Sequence, residues 1–167
     1  MDHFALETDE LYIAQQESRL HRNFMGYTDT RTQLLIGLGA SSISDSWCGY
    51  VQNEKKVEDY YKRIAANELP ITKGHLLSRA DLILRKHILN LMTRFETSWH
   101  SPSETSEEVY QALERLSELE ADELIEIEPF GLRVTEKGKA FVRNICMAFD
   151  ARLWADLPQT NLFSQTI

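Results

Sequence analysis

Apolar and polar positions follow different rhythms along this chain, and each rhythm predicts an element. Thr8-Asp9-Glu10 precede a mixed pattern that predicts a helix from about Asp9 to Leu20, with Thr8 as N-cap and two acids at the positive end of its dipole. The apolar run Leu34-Leu35-Ile36 then meets Gly37, Gly39 and four small residues. This predicts a buried strand ending in a tight turn, where the backbone comes close to a neighbour or a ligand. Asn53 opens a second helix with Val57, Tyr60, Tyr61 and Ile64 along one side, stopped at Asn67. Leu69 to His75 contains Pro70 and Gly74 and reads as an extended connector.

Beyond the connector the helical period is clearer. Ser78 and Asp81 form a capping-box variant, and Leu84, Ile88, Leu91, Met92 and Phe95 recur at helical spacing. A serine- and threonine-rich loop from Ser98 to Thr105 leads to a helix from about Ser106 to Ala121, with Val109, Leu113 and Leu116 inward. Leu124 to Ile127 and Leu132 to Val134 flank Pro129-Phe130-Gly131 and predict a hairpin. Thr135 caps a last helix striped by Phe141, Val142, Ile145, Phe149 and Leu153. The expected class is α+β and mostly helical. Residues 1–68 form one unit and residues 69–167 a helical unit with a β-hairpin near 124–134, in a winged-helix-like order.

Charge removes one reading of that order. The formal net charge is -8, and the helix that would enter a DNA groove lies in the acidic run from Ser103 to Glu128, so nucleic acid is not an expected partner. The segment from Arg19 to Arg31 is locally basic and carries Phe24 and Tyr27, which suits a small anionic ligand. With 167 residues and 43% hydrophobic content the chain can bury a real core without staples. Cys48 and Cys146 lack CxxC spacing, no apolar run reaches membrane-spanning length, and the first residues do not look like a leader. Reduced thiols, a cytoplasmic location and no membrane partner are therefore expected. The abrupt start at Met1-Asp2-His3-Phe4 suggests a piece of a longer protein.

No complete catalytic constellation is present. The histidines His3, His21, His75, His87 and His100 show no paired metal spacing. His87 is expected to pack in its helix, and His3 and His21 flank segments that line either a cleft or the core. Gly37-Leu38-Gly39 lacks the third glycine and following helix of a dinucleotide fingerprint.

Five blocks in order carry more than any one of these signals: MDHFA (Met1 to Ala5), LHRNF followed by GYT (Leu20 to Thr28), GLGASSIS (Gly37 to Ser44), VTEKGK (Val134 to Lys139) and RNICMAFD (Arg143 to Asp150). Together they resemble the C-terminal part of the oxygen-independent coproporphyrinogen III oxidases, over essentially the whole chain down to Ile167. The resemblance implies a radical S-adenosylmethionine enzyme with a partial (β/α)6 barrel followed by a mostly helical domain. It implies oxidative decarboxylation of two propionates of coproporphyrinogen III to vinyl groups, through a 5′-deoxyadenosyl radical made at a [4Fe-4S] cluster. The family's CxxxCxxC cluster motif lies in the N-terminal half and has no counterpart here, so residues 1–68 would be the closing edge of the barrel and the isolated chain would be inactive.

What the resemblance implies for sites falls on the Leu20 to Ser44 stretch. Ile43 matches an isoleucine that lies against S-adenosylmethionine, and Met25 stands where related members often have glutamine near the cofactor. Gly37 and Gly39 join them as cofactor-facing backbone. Arg22, and after it Arg31, are expected to meet propionates, because the guanidinium fork matches a carboxylate in two hydrogen bonds. The expected partners are coproporphyrinogen III and the N-terminal barrel portion of the same protein. Two other classes stand beside this reading: a non-enzymatic haem-handling relative with the same radical fold, and a stand-alone interaction domain.

Overall fold

A computed structural model describes residues 5–155. They fall into two compact units that divide between Leu82 and Ile83; His3 and the closing residues Phe163 to Ile167 lie outside the described residues.

The first unit opens with α1 (Glu10–Gln16). Its N-cap is Asp9 and not Thr8: the Asp9 carboxylate accepts from the Leu11 N–H at 2.8 Å. The helix also ends earlier than its pattern predicts. Ser18 takes a φ of 57°, and the N–H groups of Arg19 and Leu20 both turn back onto the Ala14 carbonyl, so the chain leaves the helix through a left-handed residue. The basic, aromatic stretch that follows is a hairpin of β1 (His21–Asn23) and β2 (Gly26–Thr28), in which His21 faces Thr28 and Arg22 faces Tyr27. The Asn23 side chain accepts from the Met25 N–H at 2.8 Å and Gly26 takes a φ of 128°, which turns the chain in two residues.

A second antiparallel sheet has the order β3 (Ile43–Asp45), β4 (Gly49–Asn53), β5 (Ile71–Leu76). Here two expectations are corrected. Leu34 to Ile36 is not a buried strand: only Leu35 bridges to Asp45, and Leu34 and Ile36 are 59% and 67% exposed. Leu69 to His75 is not a free connector, because most of it pairs with β4 as β5. Between β4 and β5 lies α2 (Val57–Ala65), starting after Lys56 rather than at Asn53 and closed by Asn67 at a φ of 58°.

Helix α3 (Arg79–Arg94) carries the chain from the first unit into the second and begins with the predicted box: the Ser78 N–H donates to the Asp81 carboxylate at 2.8 Å and the Asp81 N–H to Ser78 Oγ at 3.1 Å. Phe95, at a φ of 61°, ends it. The predicted hairpin, β7 (Ile125–Glu128) and β8 (Gly131–Val134), gains a third strand, β6 (Glu96–Ser98), in the order β6-β8-β7. The single acidic helix expected from Ser106 to Ala121 is two, α4 (Glu107–Arg115) and α5 (Ser117–Ala121), joined at the fully buried Leu116. After Thr135 comes a 3₁₀ turn (Lys137–Phe141), then α6 (Val142–Ala148) and α7 (Ala151–Ala155). Thr135 caps as expected, its Oγ1 accepting from the Gly138 N–H at 3.1 Å while donating to the Glu123 carbonyl at 2.9 Å.

Leu84, Leu91, Val109, Leu116, Ile125, Leu132, Ile145 and Phe149 make the core of this unit. His87 sits inside it, fully buried. A carbonyl oxygen only accepts, so His87 Nε2 donates to the Glu104 carbonyl at 2.8 Å, leaving Nδ1 at 2.7 Å from the Thr97 hydroxyl. Burial lowers the His87 pKa from its ordinary value and holds the ring neutral. Outside, the Lys86 ammonium and the His100 N–H both bind the Glu104 carboxylate and bring its pKa down to about 2.

Candidate functional site

The glycine turn from Gly37 to Ser44 is tied to its surroundings by both backbone and side chains. Gly37 needs its missing side chain: a Cβ there would lie 2.7 Å from the Ile43 carbonyl oxygen. Gly39 needs its freedom instead, with a φ of 95°, while a Cβ there would make only an ordinary contact with Ser42 Oγ at 3.8 Å. The expectation of close backbone approach therefore holds at Gly37, and the neighbour approached is the chain's own β3.

Side chains from three places fix this turn. Ser44 Oγ accepts from the Gly37 N–H at 3.0 Å, and the Tyr60 hydroxyl on α2 accepts from the Gly39 N–H at 3.3 Å. The Asn53 carboxamide, buried at the end of β4, donates to both the Gly37 and Gly39 carbonyls at 3.1 and 3.0 Å. One amide thus spans the two glycines and satisfies carbonyls that a loop cannot pair within itself. Pattern reading missed this use of Asn53 because it placed the residue at a helix start, whereas it closes β4. Ile43 opens β3 from the turn and is half-buried.

The next candidate, Arg31, lies by the turn that follows β3, whose last residue is two residues and about 7 Å along the strand from Ile43. Arg31 is exposed, with its guanidinium 5.5 Å from the centre of the Trp47 ring. Asp45 accepts from the Trp47 N–H at 2.8 Å, and Trp47 takes a φ of 64°, so the β3–β4 turn aims the indole. Arg22 is also exposed and lies 5.7 Å from the Tyr27 ring centre, its cross-strand partner. Phe24 of the same hairpin meets Tyr50 of β4 edge-on at 4.9 Å. Among the described residues neither arginine forms an ion pair. Each is oriented by a ring face, leaving its donor fork for an external acceptor.

Met25 stands at the hairpin tip, 83% exposed. His21 is buried in β1. Cys48 is exposed at the β3–β4 turn and Cys146 is buried in α6, both as free thiols. The described residues contain no group of three or more His, Cys, Asp or Glu side chains able to hold a metal, and no helix among them is long and apolar enough to cross a membrane.

No protein-family model matches the chain, but individual relatives do. The oxygen-independent coproporphyrinogen III oxidase of Salmonella typhimurium is 40% identical over 158 residues, covering 92% of this chain and 35% of that protein. The enzyme of the same name from Synechocystis is 38% identical and aligns with all of this chain and 38% of its own length. Among solved structures, the radical SAM enzyme coproporphyrinogen III oxidase (HemN) of Escherichia coli superposes with a TM-score of 0.83 at 39% identity, over 92% of this chain and 36% of that one. The chain is homologous to the C-terminal part of oxygen-independent coproporphyrinogen III oxidase. It spans about a third of the length of these oxidases. The mixed helix and strand content and the small sheets described above are those of the matched part of the Escherichia coli structure.

Proposed function

We propose that this chain is the C-terminal portion of an oxidase that decarboxylates two propionates of coproporphyrinogen III to vinyl groups, giving protoporphyrinogen IX in anaerobic haem synthesis. The observation that carries this reading is the agreement of 39% identity with a TM-score of 0.83 over 92% of the chain. Radical S-adenosylmethionine chemistry, supplied when that cofactor is bound at a reduced [4Fe-4S] cluster, provides the oxidation. Such a cluster takes cysteine thiolates on its irons. Two cysteines on separate elements do not provide them, so in the parent the cluster belongs to the preceding portion and this portion alone does not turn over.

The residues here serve as walls. Ile43 and the cradle formed by Gly37 and Gly39 fit the edge of a nucleoside: an apolar side chain beside a backbone surface already saturated by Asn53, Ser44 and Tyr60. Met25 offers a soft, exposed apolar contact in place of a polar one. Arg22 and Arg31 hold propionates, their forks free and their planes set by Tyr27 and Trp47. In the second unit the succession α3, β6, α4, α5, β7, β8 with sheet order β6-β8-β7 follows a winged helix; its acidic helix face argues for a structural use rather than a nucleic-acid one. A cytoplasmic location suits this chemistry.

The test is product identification. The full-length parent, reconstituted anaerobically with iron, sulfide, reductant and S-adenosylmethionine, converts coproporphyrinogen III to protoporphyrinogen IX. Tight haem binding with no conversion would identify the haem-handling relative instead.

A further inference from the structure

The sheet formed by β3, β4 and β5 sorts its side chains between two faces, because successive residues of a strand alternate and directly paired residues share a side. The register places Ile43, Gln52 and Lys73 in one row across the strands, and Asp45, Tyr50 and His75 in the next. Both rows lie on the same face, since the members from each strand are two residues apart. The face that carries Ile43 is therefore also the face of Lys73. Neighbouring strands lie about 5 Å apart, so the two backbones are about 10 Å apart with Gln52 between them.

The middle of this face is aromatic and its open edge is cationic. Tyr50 is half-buried and takes Phe24 of the β1–β2 hairpin edge-on at 4.9 Å. Lys73 is exposed, and among the described residues its ammonium has neither an ion pair nor a hydrogen bond. The groups around it are engaged elsewhere. Its cross-strand partner Gln52 donates its carboxamide to the Ser41 carbonyl at 3.1 Å. Asp45, the carboxylate of the next row, is buried and accepts from the Trp47 N–H. Asp81 lies 3.9 Å from His75 Nε2 and accepts from both the N–H and the hydroxyl of Ser78. The sequence carries no acid between Glu68 and Asp81. In a chain of net charge -8, this face keeps a cation without a carboxylate of its own.

We infer that Lys73 anchors a carboxylate of the ligand that lies against Ile43. This rests on the reading of Ile43 as a wall of the cofactor and substrate site. Both ligands of that site carry the group required: propionates on the porphyrinogen and the methionyl carboxylate on S-adenosylmethionine. An ammonium is a compact charge on a flexible stem, and it accepts a carboxylate from several directions where the guanidinium forks of Arg22 and Arg31 demand one. The Phe24 and Tyr50 rings on the same face turn water away from the approach, which strengthens a charge-assisted contact.

Equilibrium binding to the reconstituted full-length parent tests this, with coproporphyrin III followed by its fluorescence and S-adenosylmethionine by dialysis, in the unsubstituted protein, Lys73→Met and Lys73→Arg. Lys73→Met weakens one of the two ligands about 10-fold, the loss expected of one charge-assisted hydrogen bond, and leaves the other within about twofold. Lys73→Arg recovers most of that loss. Weaker porphyrin binding identifies a propionate as the partner, and weaker S-adenosylmethionine binding identifies the methionyl carboxylate. Lys55→Met, at another exposed lysine just before α2, changes neither affinity. Unchanged affinity for both ligands in Lys73→Met overturns the inference. So does a loss that Lys73→Arg leaves in place, or an equal loss for both ligands with a lowered melting temperature, because damage to the sheet is then the cause. Carbon dioxide release is read on the same samples: a parent that binds coproporphyrin III through Lys73 without decarboxylating its porphyrinogen sinks the proposed chemistry and leaves the anchor standing. A parent that decarboxylates while Lys73→Met binds both ligands unchanged does the reverse.

Discussion

Replacing Gly37 by alanine tests the site geometry at its tightest point. The new Cβ lies 2.7 Å from the Ile43 carbonyl oxygen and 2.9 Å from Ser42 Cβ, and the first of these is backbone that cannot rotate away. Forcing extra volume into a packed place costs about 1–3 kcal/mol, and alanine returns about 0.4–1 kcal/mol by restricting the unfolded chain. A net loss of about 1–2 kcal/mol follows, or a fall of about 0.5–1 M in the urea midpoint for a slope near 2 kcal/mol per M. Because the chain has two units, the transition is followed through NMR cross-peaks of Gly37, Ile43 and Ser44. Gly39→Ala is the matched control. It meets nothing closer than Ser42 Oγ at 3.8 Å but must hold a φ of 95°. Its cost is backbone strain of about 1–3 kcal/mol, and its native spectrum leaves the Ile43 resonance near its original position. The reasoning is refuted if Gly37→Ala unfolds within about 0.3 kcal/mol of the parent chain with the Ile43 resonance unmoved.

Four further outcomes follow from named contacts. Asp9→Ala destabilises α1 by about 0.5–2 kcal/mol while Thr8→Ala leaves it within error, read by helix-specific amide exchange. Thr135→Val removes an acceptor from Gly138 and a donor to Glu123, and lowers second-unit stability by about 1–2 kcal/mol in thermal unfolding. For His87 the folded pKa lies below the unfolded value of about 6.5, so the unfolded state binds more protons and stability falls as pH drops below about 6.5. That slope disappears in His87→Leu. Glu104, with its pKa brought down to about 2 from 4.5, adds a separate loss as pH falls through that lower window, and Lys86→Met reduces it to the part that the His100 N–H supplies.

Much of the chain from Ser78 onward was legible because its helical pattern is clear. The Ser78 and Asp81 box, the buried face of α3 and the Thr135 cap all follow from residue types acting on their immediate neighbours. The third strand, β6, was not legible: Glu96-Thr97-Ser98 carries no apolar alternation, and it pairs because Phe95 turns left-handed and returns its carbonyl to the Val134 N–H. The first unit was read less well for the same kind of reason. Its strands are three to six residues long and are set by side-chain hydrogen bonds at Asn23, Asp45 and Asn53 rather than by hydrophobic period. Leu34-Leu35-Ile36 misled because its apolar residues were assumed to be buried by this chain, whereas two of them face outward.

The candidate site was legible in its parts and not in its arrangement. Both glycines were singled out, and the physical demand differs at each, close approach at Gly37 and positive φ at Gly39. The ring faces that orient Arg22 and Arg31 came from residues paired only by the fold, Tyr27 across the hairpin and Trp47 in the next turn. Whether those arginines receive propionates is decided by Arg22→Ala and Arg31→Ala in the parent, each expected to raise KM for the porphyrinogen while leaving cluster content unchanged.

The most direct measurement is the carbon dioxide released per coproporphyrinogen III consumed by the anaerobically reconstituted full-length protein. Release of two molecules per porphyrinogen, dependent on S-adenosylmethionine and absent with the 167-residue chain alone, is the expected result. No carbon dioxide from a parent with its cluster fully assembled would contradict the assignment.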